Sequence, residues 1–132
     1  MHHFILDKKL QKDCIFIKDL ELSQLLLMND SNYPWLILVP RKKNLTEIID
    51  LDQDDQIILL SEINYVSKIL KKHLNVDKIN IASLGNVVSQ LHIHIIGRYF
   101  NDISYPKPIW GQVNSVKYDE IKISNFKEIF KN

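Results

Sequence analysis

The chain has 132 residues, 45% of them hydrophobic, so it is long enough for one domain with a substantial core. Its 17 Lys and Arg residues nearly balance 16 Asp and Glu residues, and the net charge of +1 excludes a basic stripe for a nucleic-acid backbone. No Gly-, Pro- or Ser-rich linker divides the sequence, so we expect one domain over residues 1–132, with a tail from about residue 112.

The sequence also bears on the compartment in which the protein works. No apolar run approaches the roughly 20 residues of a membrane span, and the start of the chain has no signal-peptide pattern, so we expect a cytoplasmic protein with no membrane partner. The single Cys14 excludes an intramolecular disulfide and is interpreted as a small apolar strand residue. His2 and His3, at the chain end, are interpreted as solvated and receive no role.

The first predicted elements are strands. Asp13–Lys18 alternates between polar and apolar residues and predicts a strand that ends at Asp19. Two apolar runs, Leu25–Met28 and Trp35–Val39, flank the strong turn signal Asn29–Asn32. They predict an antiparallel hairpin.

Helical patterns follow. Thr46 begins a predicted short helix, and Asp52 with Asp55 marks the start of a long one. Its apolar residues recur at helical spacing, as Leu59, Ile63, Val66, Leu70 and Leu74. Acidic residues at its amino end and basic residues at its carboxyl end suit the helix dipole, and His73 is interpreted as part of that pattern.

Asp77–Ala82 predicts the next strand, and the turn after it leads into Ser89–Arg98, the most informative stretch of the chain. Its alternation predicts a half-buried strand. One face would carry Leu91, Ile93 and Ile95, and the other Gln90, His92 and His94. Two imidazoles and an amide in a row would suit an anionic ligand. We therefore expect an α+β fold, an antiparallel sheet of about five strands with one long helix packed on it.

This stretch resembles the motif of the histidine triad (HIT) family, in which three histidines alternate with apolar residues on a strand and act on nucleotide phosphates. Gln90 stands where the first histidine would be, so the chain resembles the Gln-x-His-x-His variant, similar to diadenosine polyphosphate hydrolase-like members. The resemblance covers nearly the whole chain, and the further segments that carry it are Leu27–Asp30, Tyr33–Trp35, Leu38–Arg41, Asn80, Leu84–Val88 and Pro108–Gly111.

The resemblance implies roles for the three motif residues. His92 would be the nucleophile, with one ring nitrogen held by the backbone carbonyl of Gln90 and the other aimed at a phosphate. His94 would stabilise the developing charge or assist proton transfer. Gln90 would donate its amide N–H to a phosphate oxygen without the cationic charge of an imidazolium. A nucleotidyl-histidine intermediate would then release a nucleoside monophosphate, with no cofactor and no metal required.

Four further residues resemble substrate-binding positions of the family. Asn29 would contact the ribose, Asn86 would lie against the phosphates, and Asn80 is a second polar position by the site. Ser89 belongs to the segment that leads into the motif. Asn residues in turns usually have local backbone reasons, so a ligand role for Asn29 or Asn86 competes with a purely structural one.

Other prominent residues are assigned mainly structural roles. Trp35 and Trp110 are interpreted as core or interface residues, although Trp110 resembles a tail position near the site in related dimers. Arg41 and Arg98 are expected to be solvated.

Three functions remain open. The first is a nucleotide hydrolase or transferase that acts on the α-phosphorus of a dinucleoside polyphosphate or nucleoside phosphoramidate, with adenine as the expected base. The second, prompted by Gln90, is a non-catalytic nucleotide-binding regulatory protein. The third is a zinc site at His92 and His94, for which the sequence offers no completing ligands. The resemblance also implies a homodimer, the commonest assembly of soluble oligomers.

Overall fold

A computed structural model describes residues 4–131 of the chain, so the expectation for His2 and His3 lies outside the described residues. The helices are α1 (Lys8–Asp13), α2 (Gln53–Leu74) and α3 (Glu120–Ile129), with a 3-10 turn at Ile48–Asp50. The strands are β1 (Cys14–Asp19), β2 (Ser23–Met28), β3 (Trp35–Pro40), β4 (Lys78–Ala82) and β5 (Ile93–Arg98). None of the described helices has the length and apolar character needed to cross a bilayer.

The five strands form one antiparallel sheet in the order β1-β2-β3-β5-β4. The predicted α+β fold and the predicted β2–β3 hairpin are thus confirmed. The histidine-bearing strand β5 lies between β3 and β4, with Ile37 opposite His94 on one side and Ala82 opposite His94 on the other. Strand β5 is therefore fixed from both edges.

Helix α2 covers one face of this sheet. Asp52 caps it by accepting the backbone N–H of Asp55 at 2.8 Å, as the sequence predicted, and Asn75 ends it in the left-handed conformation. The predicted stripe lies against the sheet, and Leu91, Ile93 and Ile95 pack into the same core cluster. Burial of this stripe and of the alternate strand residues is the main hydrophobic contribution to the fold.

The opposite face of the sheet is covered by α1 and by segments from the tail. Leu10 of α1 packs with Leu26, Ile37 and Val39 in a second cluster. Because side chains alternate across a strand, burying Ile93 and Ile95 under α2 directs His94 to this second face. The histidines thus lie on the side of the sheet away from the long helix.

The predicted strand Ser89–Arg98 was too long at its start, since β5 begins only at Ile93. The backbone N–H of Leu91 bonds the carbonyl of Leu45 at 2.9 Å, outside the sheet ladders. His92 lies just before the strand. The Gln90 side chain turns to the amino-terminal segment, so the expected row of three polar side chains keeps only His92 and His94. Helix α1 was not predicted at all.

The solvated environment expected for Arg98 was wrong. Its side chain is only 1% exposed and pairs with Asp102 through Nε at 2.8 Å and Nη2 at 3.1 Å. Nη1 donates to Asn80 Oδ1 at 2.9 Å, and the guanidinium lies 5.6 Å from the ring centre of Tyr33. Arg98 therefore fastens the loop that follows β5. The helical pattern noted near the end of the chain forms α3, whose Phe126 packs into the core.

Candidate functional site

His92 is held by the chain immediately before it. Its Nδ1 lies 2.7 Å from the backbone carbonyl oxygen of Gln90. Because a carbonyl only accepts hydrogen bonds, Nδ1 carries the proton, and Nε2 keeps its lone pair in the neutral ring. The contact implied by the resemblance is thus present, and it fixes the orientation of the His92 ring.

His94, on β5, has the opposite arrangement of ring protons. The indole Nε1–H of Trp35 donates to His94 Nδ1 at 3.0 Å, which leaves the proton of the neutral ring on Nε2. Burial, and next the nearby His92, lower the pKa of His94 from 6.5 to about 4. At neutral pH His94 is therefore an uncharged hydrogen-bond donor.

The two imidazoles belong to a compact aromatic group. Their ring centres are 4.8 Å apart, and the Trp110 ring meets the His94 ring edge-on at 5.0 Å. Trp35 contacts Trp110 in the same manner at 5.9 Å. Both tryptophans, interpreted from the sequence as core or interface residues, lie against His94. For Trp110 this agrees with its resemblance to a position near the site.

A cavity of about 260 Å³ opens beside both histidines. Its wall contains mainly apolar side chains together with the loop that joins β4 to β5. Asn86 lies in that loop and lines the cavity, and Lys9, Leu10 and Asp13 of α1 contribute another part of the wall. The site is thus built from one loop, one short helix and the start of β5, with Met28, Trp35 and Trp110 completing the wall.

A second cavity of about 520 Å³ adjoins the first, and the two share Asp13, Met28, Trp35 and Trp110 in their walls. Asn29 lines this second cavity. Its Oδ1 accepts the backbone N–H of Tyr118 at 2.8 Å, so it also fastens the tail to the hairpin turn. Lys12 and Lys117 are the cationic residues of this wall.

The side chain of Gln90 faces the amino-terminal segment. Its Oε1 accepts the backbone N–H of Asp7 at 2.8 Å, and its Nε2 donates to the carbonyl of Ile5 at 2.9 Å. Among the residues that the structure describes, Gln90 is not one of those that line either cavity. Its connection to the histidines is the backbone carbonyl that holds His92.

Asn80 and Ser89 also lie apart from the cavities. Asn80 is on β4, and its Oδ1 accepts from the buried Arg98. Ser89 is exposed in the loop before His92. The structure therefore brings together His92, His94 and Asn86, places Asn29 in the adjoining cavity, and leaves Asn80 and Ser89 outside both walls.

Within residues 4–131, no group of three or more His, Cys, Asp or Glu residues is arranged to hold a metal ion. The zinc hypothesis therefore finds no ligand set in the part of the chain that the structure describes.

Sequence reasoning missed the wall contributed by α1. A local signal was present, because Asp7 caps the helix by accepting from Lys9 N at 2.8 Å. Lys9 and Asp13 also form an i,i+4 ion pair at 3.1 Å. The helix is only six residues long, too short for its apolar periodicity to be recognised.

Comparison with known proteins places this architecture in a family. Residues 9–101 match the family model described as HIT domain. A histidine triad protein from Bradyrhizobium japonicum has 46% sequence identity and a TM-score of 0.93, over 96% of this chain and 94% of that one. Histidine triad proteins from Sinorhizobium meliloti, at 42% identity and a TM-score of 0.94, and Marinobacter aquaeolei, at 38% and 0.94, are similarly close. The Sinorhizobium match covers 96% of this chain and 94% of that one, and the Marinobacter match 97% and 93%.

The search of curated protein sequences gave no match. The family model nevertheless covers more than half of the chain, and its span includes most of α1, every strand, and both histidines of the site. The chain belongs to the histidine triad family.

Proposed function

We propose that this protein is a nucleotide hydrolase or transferase that attacks the α-phosphorus of a dinucleoside polyphosphate or nucleoside phosphoramidate through His92. Family membership supports a nucleotide-binding or hydrolase type of function in general. The observation that carries the finer proposal is the hydrogen bond from His92 Nδ1 to the Gln90 carbonyl, which leaves Nε2 as the basic nitrogen beside a cavity.

In the first step, the lone pair of His92 Nε2 forms a bond to the α-phosphorus, and the bond from phosphorus to the leaving group breaks. The leaving group departs with the electron pair and takes up a proton from solvent. The carbonyl of Gln90 accepts from the Nδ1–H throughout and stabilises the positive charge that develops on the ring. In the second step, water forms a bond to the same phosphorus, and the bond from phosphorus to His92 Nε2 breaks and returns its electron pair to the ring. The proton lost by water passes to solvent, and a nucleoside monophosphate is released.

His94 supports the same step as a neutral donor. With Nδ1 occupied by Trp35, its Nε2–H is the group that can bond a phosphate oxygen as negative charge accumulates there. A donor close to the nucleophile that does not need to titrate is preorganised for this task. The expected consequence is stabilisation of the transition state by hydrogen bonding from a neutral group.

The adjoining cavities suit a ligand with two parts. They share wall residues, and they differ in character: the first is mainly apolar with Asn86 in its wall, and the second carries more polar groups, among them Asn29, Lys12 and Lys117. Apolar walls with a few polar groups are typical of small-molecule sites. We propose an adenine nucleotide, with the reacting phosphate beside the histidines.

The experiment is a turnover panel with purified protein, using a diadenosine polyphosphate and an adenosine phosphoramidate and following AMP release. His92→Ala removes the nucleophile, and we expect AMP release to fall by roughly a thousandfold or more. His73→Ala is the matched control, because His73 is an exposed histidine at the end of α2, and it should retain the wild-type rate. The preferred substrate separates phosphoanhydride hydrolysis from phosphoramidate hydrolysis.

The same panel tests the regulatory alternative. A non-catalytic binding protein would bind AMP in both wild type and His92→Ala without releasing product from any substrate. That outcome would remove the catalytic proposal and leave a nucleotide-binding one.

A further inference from the structure

The amide of Gln90 joins two distant parts of the chain. Its Nε2–H bonds the carbonyl of Ile5 at 2.9 Å, and its Oε1 accepts from Asp7 N–H at 2.8 Å. In a parallel sheet the N–H and C=O of one residue bond in this way to the two residues on either side of its neighbour in the adjacent strand. The side chain thus clamps the segment around Leu6, using an oxygen and a nitrogen that share one end of the carboxamide.

That segment leads directly into α1. Asp7 caps α1, and its carbonyl oxygen also accepts from Gln11 N at 3.0 Å. Buried Leu10 then turns toward the cavity beside the histidines, with Lys9 and Asp13. Because α1 has only six residues, it has little stability of its own and depends on such anchors.

The backbone of Gln90 acts on the histidine side of the cavity, because its carbonyl orients His92. We propose that Gln90 is a positioning residue: its side chain holds α1 against the site while its backbone holds the nucleophile, and it sets nucleotide affinity without contacting the phosphate. The kinetic part of this inference rests on the proposed function.

Histidine, the residue that the family motif has at this place, cannot make the same clamp. A neutral imidazole offers one donor and one acceptor on ring nitrogens that point away from each other. It can therefore satisfy Ile5 or Asp7, and the other group is left to water. The wall formed by α1 is accordingly expected to depend on glutamine in this chain.

The test combines hydrogen exchange with kinetics on wild type, Gln90→Ala and Gln90→His. In both variants, we expect the amides of Asp7 and α1 to exchange roughly tenfold faster without ligand. KM for the diadenosine polyphosphate should rise roughly tenfold while kcat changes by less than about threefold. The control is Gln53→Ala, which removes an exposed glutamine amide at the start of α2 and should change neither quantity.

Two results would overturn the clamp. One is unchanged exchange in α1 after Gln90→Ala, and the other is a kcat reduced about a hundredfold at constant KM, as for a group that binds the transition state. The hydrogen-exchange measurement does not depend on turnover. If the wild type proves inactive, the proposed function fails while exchange still decides whether Gln90 anchors α1.

Discussion

His94 owes its chemistry to the side chains that enclose it. Trp35 supplies the hydrogen bond to Nδ1, Trp110 covers the ring, and burial lowers the pKa of His94 to about 4. In the unfolded chain the imidazole titrates at its ordinary pKa of about 6.5. Between these values the unfolded state binds more protons than the folded state. Folding stability due to His94 is therefore present above pH 6.5 and is lost as the pH falls toward 4.

This linkage predicts a pH-dependent stability that the His94→Asn variant lacks. Between pH 7 and pH 5, wild type should lose about 1–2 kcal/mol of unfolding free energy through His94. His94→Asn should show a shallower dependence by that amount in chemical denaturation. His73→Asn is the control, because His73 is an exposed histidine at the end of α2, away from the site. Equal slopes in wild type and His94→Asn would contradict the neutral, buried state of His94.

At the scale of elements, the loop after β5 joins a buried ion pair to the segment that covers the site. Arg98 and Asp102, 1% and 6% exposed in their side chains, form a paired ionic contact at the start of the loop. Asp102 also accepts the backbone N–H groups of Tyr99, Ser104 and Tyr105. Further along, the chain buries Ile109 and places Trp110 on His94. The ion pair thus helps to fix the path of the segment that covers the site.

Breaking this pair should be costly. Asp102→Asn keeps the side-chain volume but leaves the buried Arg98 without its counter-charge, and we expect a loss of about 3 kcal/mol of unfolding free energy. Glu128→Gln breaks an exposed ion pair, in which the side chains of Glu128 and Lys131 are 71% and 75% exposed. We expect it to lower the unfolding free energy by less than about 0.5 kcal/mol. Denaturant titration of both variants measures the difference. Similar small losses for the two would show that Arg98 is not held by its charge partner.

At the scale of the whole molecule, local patterns predicted the architecture well. The helical stripe of α2 and the alternation in β5 identified which residues share a face, because each pattern is set by neighbours a few residues apart. The prediction that the strand is half-buried was wrong, since all six residues of β5 are buried. The site was only partly predictable. The Gln90 side-chain bonds join residues 83 and 85 positions apart, and the Trp35 bond to His94 joins residues 59 apart. Such contacts follow from the folded topology and have no local pattern.

The molecule also presents apolar side chains to its surroundings. Ile57 and Leu60 of α2 are 61% and 59% exposed, and Ile81 on the edge strand β4 is 54% exposed. Exposed apolar groups of this kind favour association, and the family resemblance implies a two-fold dimer.

We therefore expect light scattering at micromolar concentration to give a mass near twice the 15.6 kDa of one chain. Leu60→Lys should shift the mass toward that of a single chain if α2 contributes to the contact, while Lys68→Ala, elsewhere on the same helix, should not. A monomeric wild type would contradict the expected homodimer.

The central claim is that His92 becomes covalently attached to a nucleotide during turnover. The most direct measurement is intact-protein mass spectrometry after rapid acid-free quenching of wild type with a diadenosine polyphosphate, followed by peptide mapping. We expect an added AMP group on Nε2 of His92, absent from His92→Ala and retained in His73→Ala. Product release by wild type without any adduct on His92, under conditions in which the adduct would accumulate, would contradict a covalent role for His92.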